Sequence, residues 1–320
     1  MNALVFVTVI DMAVRLASGS LVGAADTLAL VAEAPGAAAP SQPGPPVALP
    51  PAPRRQLGRW HRVDPWKIAL PPHDETLRYD VRYGVFGSIG SLHVSSGALA
   101  TRPGAAPRVR LQGSGRGSVL GIGAMQNTID AEFDSWLRGS RRWTSARGDA
   151  TAQTVDTGSW DGAGQASLLR RKPGAADEAY HFKAAVQTSD PLGLIWRLRT
   201  SPPPLGGSDT IQVIDGLAMW RVRVTTVASA APVPEAAPGT TALRLDGEVA
   251  PFFYDGRPDP DRPTRHFTMW LDRAAGHVPL RMAVRLGPAD VVLRLLEARP
   301  NIVQRGAAQV GAPAPGARSL

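Results

Sequence analysis

Acidic side chains are the residues of this chain that could most readily do chemistry. Asp130, Glu132 and Asp134 alternate along one predicted strand, so all three should lie on the same face of it. General acid–base catalysis needs two carboxyl groups whose surroundings separate their pKa values, whereas a row on one exposed face shares a single environment. We therefore interpret this row as a solvated strand face.

A second acidic group offers oxygen ligands for a metal ion. Asp255, Asp259 and Asp261 stand in a Pro-rich segment. Their spacing differs from that of an EF-hand loop, in which a glycine follows the third ligand position. We predict a solvated loop at this place and no metal site.

Motifs for nucleophilic, metal or cofactor chemistry are weak. The six histidines are dispersed and form neither H-x-x-x-H nor H-E-x-x-H, and the chain has no cysteine. Residues 113–123 contain G-x-G spacing, but a dinucleotide fold would need a parallel βαβ unit around it. We predict a turn between strands there, no cofactor and no catalytic residue.

The net charge of +8 raises the question of nucleic-acid binding. The arginines are scattered along the chain, whereas a DNA-binding protein gathers its cations on one helix or one face. We predict no nucleic-acid partner. The apolar fraction of 43% is ordinary and allows a sizeable core.

Alternation of apolar and polar residues dominates the middle of the chain and indicates the fold. One predicted strand places Leu77, Tyr79, Val81, Tyr83 and Val85 on a single face. The same alternation recurs at residues 129–133, 180–186, 278–284 and 291–295, and Gly and Pro clusters separate the runs. Many half-buried strands at short spacing predict a mainly β fold, a single antiparallel, strongly curved or barrel-like sheet with one short packed helix.

The packed helix is predicted at residues 190–199. Asp190 can accept hydrogen bonds from the first free N–H groups, and Pro191 suits the first helical position. The segment is apolar almost all round, which predicts burial, and prolines 202–204 end it. A weaker helix is predicted at residues 118–125.

A hairpin is predicted directly after the helix. The pair Asp215-Gly216 is typical of a two-residue turn, here between strands at 210–214 and 218–224. We expect Trp196 of the helix to pack against these two strands.

Eight tryptophans stand out in a chain that is poor in other aromatic residues. Such residues either build a barrel core or line an apolar ligand groove. We take Trp196, Arg199, Trp220 and Trp270 as candidate ligand-binding residues. Two roles are open for Arg199. It either satisfies the last helix carbonyls and pairs with an acid such as Asp215, or anchors an anionic head group.

The two ends of the chain differ in composition from the middle. Residues 1–30 resemble a secretory signal segment, with a short apolar core followed by small residues. Residues 31–56 and 303–320 are Ala/Pro-rich and cannot bury enough apolar surface to fold, so we predict a disordered linker and a disordered tail. The β-rich domain then spans 57–302, and an Ala/Pro-rich insert at 229–239 leaves the register of one hairpin open.

Four segments resemble the bacterial exported proteins of domain-of-unknown-function family 3108: ETLRYDVRYGVFGSIGSLHV, SDPLGLIWRLRTSPPPLGG, IQVIDGLAMWRVRV and FTMWLDRAAGHVPLRMAVRLG. The family reads D-P-x-S-x-x-Y-x-L-R in the second segment, where this chain has Gly193 for the serine and Trp196 for the aromatic residue. In the last segment Trp270 fits the family pattern, while His277 stands where arginine is common. The resemblance covers roughly residues 75–297. It implies a β-rich protein of the Gram-negative cell envelope with no established activity.

These features together predict an exported, non-catalytic protein of the periplasm or cell envelope. Its concave sheet face would bind an apolar or lipid-like ligand, or an envelope protein partner. No transmembrane span is predicted, and peripheral association with a membrane is left open. Two alternatives remain, an envelope hydrolase whose site is not visible in the sequence, and a structural or assembly factor without a small ligand. An apolar cavity with a few inward polar groups would favour ligand binding, and a solid core with an exposed apolar patch would favour the assembly factor.

We expect the protein to be exported and cleaved after the small-residue run at residues 23–25. Cell fractionation combined with N-terminal sequencing measures this directly. Unprocessed protein found only in the cytoplasm would contradict the expected location.

Overall fold

The computed structural model describes residues 74–99, 108–118, 124–134, 139–149, 152–161, 164–184, 188–216, 218–253, 256–274, 276–286 and 289–300. The predicted signal segment, the linker, the tail and the domain bounds at 57 and 302 lie outside these residues. Trp60, Trp66 and Trp136 lie outside them as well.

Fourteen strands form one antiparallel sheet in the described residues. Their order across the sheet is β8-β7-β6-β5-β4-β3-β2-β1-β14-β13-β12-β11-β10-β9, so the last strand returns to pair with the first, and β8 and β9 form the two edges. This confirms the predicted mainly β fold with one curved antiparallel sheet. The strands are β1 (Glu75–Tyr83), β2 (Ser88–Leu99), β3 (Arg108–Ser118), β4 (Ala124–Asp134), β5 (Gly139–Gly148), β6 (Gln153–Trp160), β7 (Gln165–Arg171), β8 (Glu178–Lys183), β9 (Ser208–Asp215), β10 (Ala218–Pro232), β11 (Thr241–Phe252), β12 (Arg265–Leu271), β13 (Pro279–Leu286) and β14 (Ala289–Pro300).

One α-helix, α1 (Pro191–Thr200), lies between the two edge strands in sequence and packs against β3, β4, β5 and β9. Asp190 caps it, as predicted: the carboxylate accepts hydrogen bonds from Leu192 N at 2.7 Å and Gly193 N at 3.2 Å. Residues 191–199 are all buried, so the helix belongs to the apolar core on the inner face of the sheet. The described residues include no helix with the length and apolar character needed to cross a bilayer.

The start of α1 is crowded, and this explains its glycine. A Cβ atom on Gly193 would lie 2.7 Å from Ser140 Oγ and 2.9 Å from Asp190 Oδ2, and closer still to Ser189 Oγ. Real Cβ atoms do not approach so closely. The serine that the resembling family has at this position would therefore not fit here without movement of its neighbours.

A short segment before α1 bridges the gap between the two halves of the sheet. Ser140 N donates to Thr188 O at 3.1 Å, which joins the segment to β5. Ser189 N donates to Gln212 O and Ile214 N donates to Ser189 O, both at 2.9 Å, which joins it to β9. These backbone bonds hold an open sheet in a barrel-like curve.

The predicted alternation of β1 is confirmed up to its end. Leu77, Tyr79, Val81 and Tyr83 are buried, but Val85 is 98% exposed. The chain leaves the strand in a 3-10 turn that begins at Gly84, whose φ of +45° favours glycine, so the alternation stops before Val85.

The weaker helix predicted at 118–125 is wrong. Ser118 ends β3 and pairs with Ala124, which begins β4, so these two strands are neighbours in a hairpin. Strand pairing outweighs the weak local helix preference, because glycine is a poor helix former. Residues 113–118 of the glycine-rich segment continue β3, and 119–123 lie outside the described residues.

The acidic row on β4 is only partly solvated. Asp130 and Glu132 are accessible, but Asp134 is 1% exposed and accepts a hydrogen bond from Arg141 Nε at 2.8 Å. A bulge between Glu132 and Phe133 shifts the register at this point, so the alternation no longer places Asp134 on the outer face.

The Pro-rich acidic loop forms its own hydrogen bonds. Asp259 accepts from Arg262 Nε at 2.5 Å and from Asp261 N at 3.0 Å. Asp255 lies outside the described residues. In the described part of the chain, no cluster of three or more His, Asp or Glu residues could hold a metal ion.

The Ala/Pro-rich insert extends the β10–β11 hairpin. The pairing of these strands shifts register at Thr226/Ala228 and again at Ala228/Ala231. Residues of the extension and Trp270 of β12 form an apolar cluster separate from the main core, which contains Ala231, Val233, Ala242 and Trp270.

Substitution of the cap residue tests how α1 is held. Asp190 is fully buried and also accepts a hydrogen bond from the Ser140 hydroxyl. Asp190→Ala should lower the free energy of unfolding by about 2 kcal/mol, because it removes a helix cap and takes away the acceptor of the buried Ser140 O–H. Asp190→Asn, which keeps an acceptor oxygen, should cost clearly less; equal losses in urea unfolding would contradict this role.

The natural chain and Asp190→Asn should also differ in the pH dependence of their free energy of unfolding. Burial raises the pKa of Asp190. The folded protein therefore holds this proton more tightly than the unfolded chain, so its contribution to stability falls as the pH rises above the ordinary Asp value of about 4. Asp190→Asn lacks this contribution, so its stability relative to the natural chain should improve over that pH range.

Candidate functional site

A small apolar cavity lies between α1 and the inner face of the sheet. Its volume is about 20 Å³, which is room for about one water molecule. Its polar lining residues are Glu75, Ser95, Ser96 and Arg199. Its apolar lining residues are Leu77, Tyr79, Leu92, Val94, Leu111, Leu192, Ile195, Trp196 and Met282.

Trp196 lies in the wall of this cavity. It is 2% exposed, as expected for a core residue. The sequence predicted that it packs against β9 and β10. The helix does contact β9, but Trp196 shares the cavity with residues of β1, β2, β3 and β13.

Arg199 fastens the C-terminal end of α1 to the sheet. Its side chain is 3% exposed, its Nη1 donates to Glu75 Oε1, and its Nε donates to Gly276 O at 3.0 Å. The guanidinium carbon also lies 5.4 Å from the centre of the Trp196 ring. The acid that pairs with Arg199 is therefore Glu75 and not Asp215, because the helix end reaches β1 while Asp215 lies at the far end of β9.

Three buried polar atoms of the cavity residues have no hydrogen-bond partner among the described residues. They are Arg199 Nη2, Trp196 Nε1 and Ser96 Oγ. Leaving a buried donor or hydroxyl unpaired costs about 1–3 kcal/mol. A molecule that enters the cavity and bonds to these groups would remove that cost.

The remaining titratable groups of this cavity are poor catalysts. Burial raises the pKa of the Tyr79 phenol, so it stays protonated at neutral pH and is no general base. Glu75 is engaged by Arg199, and no histidine is among the described lining residues. Among the described lining residues, these groups do not form a pair of side chains placed for acid and base roles.

The other two candidate residues lie apart from the cavity. Trp220 is 2% exposed in the main core, and the guanidinium of Arg262 lies 4.8 Å from its ring centre. Trp270 belongs to the separate cluster of the β10–β11 extension, with Arg281 4.8 Å from its ring centre. The structure therefore brings together Trp196 and Arg199 only.

A buried ion cluster on β5, β6 and β7 was not singled out from the sequence. Asp156 is fully buried and accepts hydrogen bonds from Arg170 Nε at 2.7 Å, from Arg170 Nη2 at 2.9 Å and from Arg147 Nη2. Asp215 lies 3.9 Å from Arg147 Nη1. The β9–β10 turn is thereby fastened to strands near the opposite edge of the sheet.

The alternation of buried and exposed positions along β6 and β7 could have revealed this cluster. Asp156 is in phase with the buried Gly158 and Trp160, and Arg170 is in phase with the buried Leu168. A charged residue at a buried position of a half-buried strand indicates an internal ion pair, because a lone buried charge is too costly.

An open groove of about 470 Å³ crosses the outer face of β1 to β5. Asp130 in it accepts hydrogen bonds from Arg110 Nε at 2.9 Å and Gln112 Nε2 at 3.1 Å, and the bond from Arg110 lowers its pKa. None of the described residues lining this groove has a buried polar atom without a partner, which distinguishes it from the cavity under α1. Its other polar lining residues are Thr76, His93, Ser95, Ser114, Thr128 and Thr144.

Two aspartates on neighbouring parts of the sheet allow a matched test of the ion cluster. Asp156→Asn should lower the free energy of unfolding by about 3 kcal/mol, because it leaves two buried guanidinium groups with too little negative charge. Asp130→Asn removes an exposed pair, with 51% and 37% of the two side chains accessible, and should cost less than about 1 kcal/mol. Similar losses for the two variants in urea unfolding would contradict a structural role of the cluster.

Comparisons with known proteins leave the family open. No family model and no curated protein matches the chain. Among solved structures, the chain is similar to a β-barrel-like protein of domain-of-unknown-function family 1849 from Brucella abortus, with a TM-score of 0.45 and 10% identity, over 72% of this chain and 98% of that chain. A likeness this low carries no argument, so the fold rests on the strand pairing and the function on the geometry described above.

Proposed function

We propose that this protein is an exported, non-catalytic binding protein of the periplasm or cell envelope, and that it holds an apolar or lipid-like ligand between α1 and the inner face of the sheet. The observation that carries the proposal is the set of three unpartnered buried atoms, Arg199 Nη2, Trp196 Nε1 and Ser96 Oγ, on residues that line a mainly apolar cavity. Ligand pockets are typically apolar with a few placed polar groups.

The cavity must widen before such a ligand can enter. Its volume of about 20 Å³ is far below the roughly 300–1,000 Å³ of ordinary ligand pockets. Three of its lining residues, Ile195, Trp196 and Arg199, lie in the C-terminal part of α1, and we propose that this part of the helix moves when a ligand binds. Ligand binding in this protein is therefore coupled to a displacement of the helix.

The energies involved permit this displacement. Burial of a hydrocarbon chain contributes about 0.8 kcal/mol per CH₂ group, so ten methylenes contribute about 8 kcal/mol. Breaking a buried ion pair completely would cost about 3–5 kcal/mol, which is an upper limit for a shift of the helix end that keeps Arg199 paired with Glu75. A long chain, or another molecule of similar apolar area, can therefore offset such a shift, whereas a molecule of a few carbon atoms cannot.

Sequence features support the proposed location. Residues 1–30 resemble a signal segment, and residues 31–56 would form a tether. The resemblance to domain-of-unknown-function family 3108 agrees with an exported envelope protein, and we propose membership of that family on the same grounds.

Two substitutions on α1 test the ligand site. Ile195→Ala enlarges the cavity, so it should raise the affinity for the fluorescent apolar probe N-phenyl-1-naphthylamine several-fold while it destabilises the protein by about 2–5 kcal/mol. Leu194→Ala removes a similar volume from a residue that is buried but does not line the cavity. It should destabilise the protein similarly and leave the affinity unchanged.

Titration of the probe fluorescence measures both affinities, and thermal unfolding shows that each variant is folded. No probe binding by any of the three proteins, or the same change in affinity for both variants, would contradict a ligand site under α1.

A further inference from the structure

The charges around the cavity under α1 cancel. Arg199 and Glu75 are its charged lining residues within the described part of the chain, and they pair with each other. The neighbouring cation on α1, Arg197, does not line the cavity and donates to Asp209 Oδ2 at 2.6 Å. A ligand in this cavity therefore meets a site with no net charge.

The free hydrogen-bonding capacity of the site is small and specific. Two of the three guanidinium nitrogens of Arg199 are occupied, Nη1 by Glu75 and Nε by Gly276 O, which leaves Nη2. Ser96 adds one hydroxyl, which can donate or accept. Trp196 Nε1 is a further donor without a partner on a lining residue. Two fixed donors beside one adaptable hydroxyl suit an oxygen acceptor such as the carbonyl of an amide or ester, whose oxygen has two lone pairs.

An anionic head group would fit this site poorly. A carboxylate bound to Arg199 would lie beside the carboxylate of Glu75, and two like charges on one guanidinium oppose each other. If it displaced Glu75, that side chain would be left charged and unpaired, although Glu75 is only 6% exposed. Either outcome carries the cost of a buried charge without a partner.

We infer that the natural ligand is a neutral lipid-like molecule, a long hydrocarbon chain with an uncharged carbonyl head group that accepts a hydrogen bond from Arg199 Nη2 and bonds to Ser96 Oγ. This inference rests on the proposed function and specifies its ligand class. It replaces the anionic anchor that the sequence left open for Arg199. Glu75 acts in it as the residue that sets the selectivity, because it neutralises the guanidinium.

Two probes with the same hydrocarbon chain test the inference on the full-length protein. Oleamide has an uncharged amide head group, and oleate is ionised at about pH 8. In displacement of N-phenyl-1-naphthylamine, below the concentrations at which the probes form micelles, oleamide should bind at least about tenfold more tightly than oleate. Oleate binding equally or more tightly would overturn the inference and leave the proposed function standing; binding of neither would overturn both.

The charge of Glu75 is tested by substitution. Glu75→Gln leaves the guanidinium without its counter-charge, so the preference should move towards oleate by at least about tenfold. The control is Glu248→Gln, which removes the same charge from an exposed position on β11 and should leave the preference unchanged. An unchanged preference in folded Glu75→Gln would overturn the role of Glu75.

A second variant keeps the test decisive if Glu75→Gln does not fold. Ser96→Ala removes only the hydroxyl, so it should weaken oleamide binding several-fold with little change in the melting temperature. Unchanged oleamide affinity in Ser96→Ala would show that the head group does not lie at this site, and it would overturn the inference.

Discussion

Two buried carboxylates hold the two ends of helix α1 against the sheet. At the N-terminal end, Asp190 caps the helix and accepts a hydrogen bond from Ser140 of β5. At the C-terminal end, Glu75 of β1 accepts from Arg199. An open curved sheet leaves part of one apolar face uncovered, and these two contacts fix the position of the helix that packs there. The core, the bridge between the sheet halves and the cavity all depend on this placement.

The cavity follows from the same placement. The C-terminal part of α1 forms one wall, and β1, β2, β3 and β13 form the others. Unpaired polar groups such as Arg199 Nη2, Trp196 Nε1 and Ser96 Oγ lower stability, and a ligand that bonds to them would remove this cost. Helix α1 therefore covers the apolar face of the sheet and also forms the movable wall of the proposed site. Ligand binding is in this way linked to the stability of the Glu75–Arg199 ion pair.

Local signals were enough to predict much of this fold. The alternation in β1, the cap at Asp190 and the hairpin after the helix each depend on residues a few positions apart, and each is confirmed. The turn of that hairpin begins one residue later than predicted, because Asp215 still belongs to β9 and pairs with Ala218. Errors arose where the chain leaves regular geometry, as at the turn before Val85 and at the bulge that buries Asp134.

The site was harder to predict because its contacts are distant in sequence. Trp196 and Arg199 were identified, but the partner of Arg199 is 124 residues away on β1. The three-residue cluster of Arg147, Asp156 and Arg170 depends on the phase of each strand relative to a face that only the full sheet defines. Sequence alternation predicts that a face exists, but the order of the strands decides which side chains meet on it.

A crystal structure of the full-length protein with bound oleamide would test the central claim most directly. We expect a hydrocarbon chain between α1 and strands β1 to β3, a displaced C-terminal part of α1, and the amide oxygen within hydrogen-bond distance of Arg199 Nη2. Oleamide found in the outer groove, with α1 in place and the cavity under it unchanged, would contradict the account.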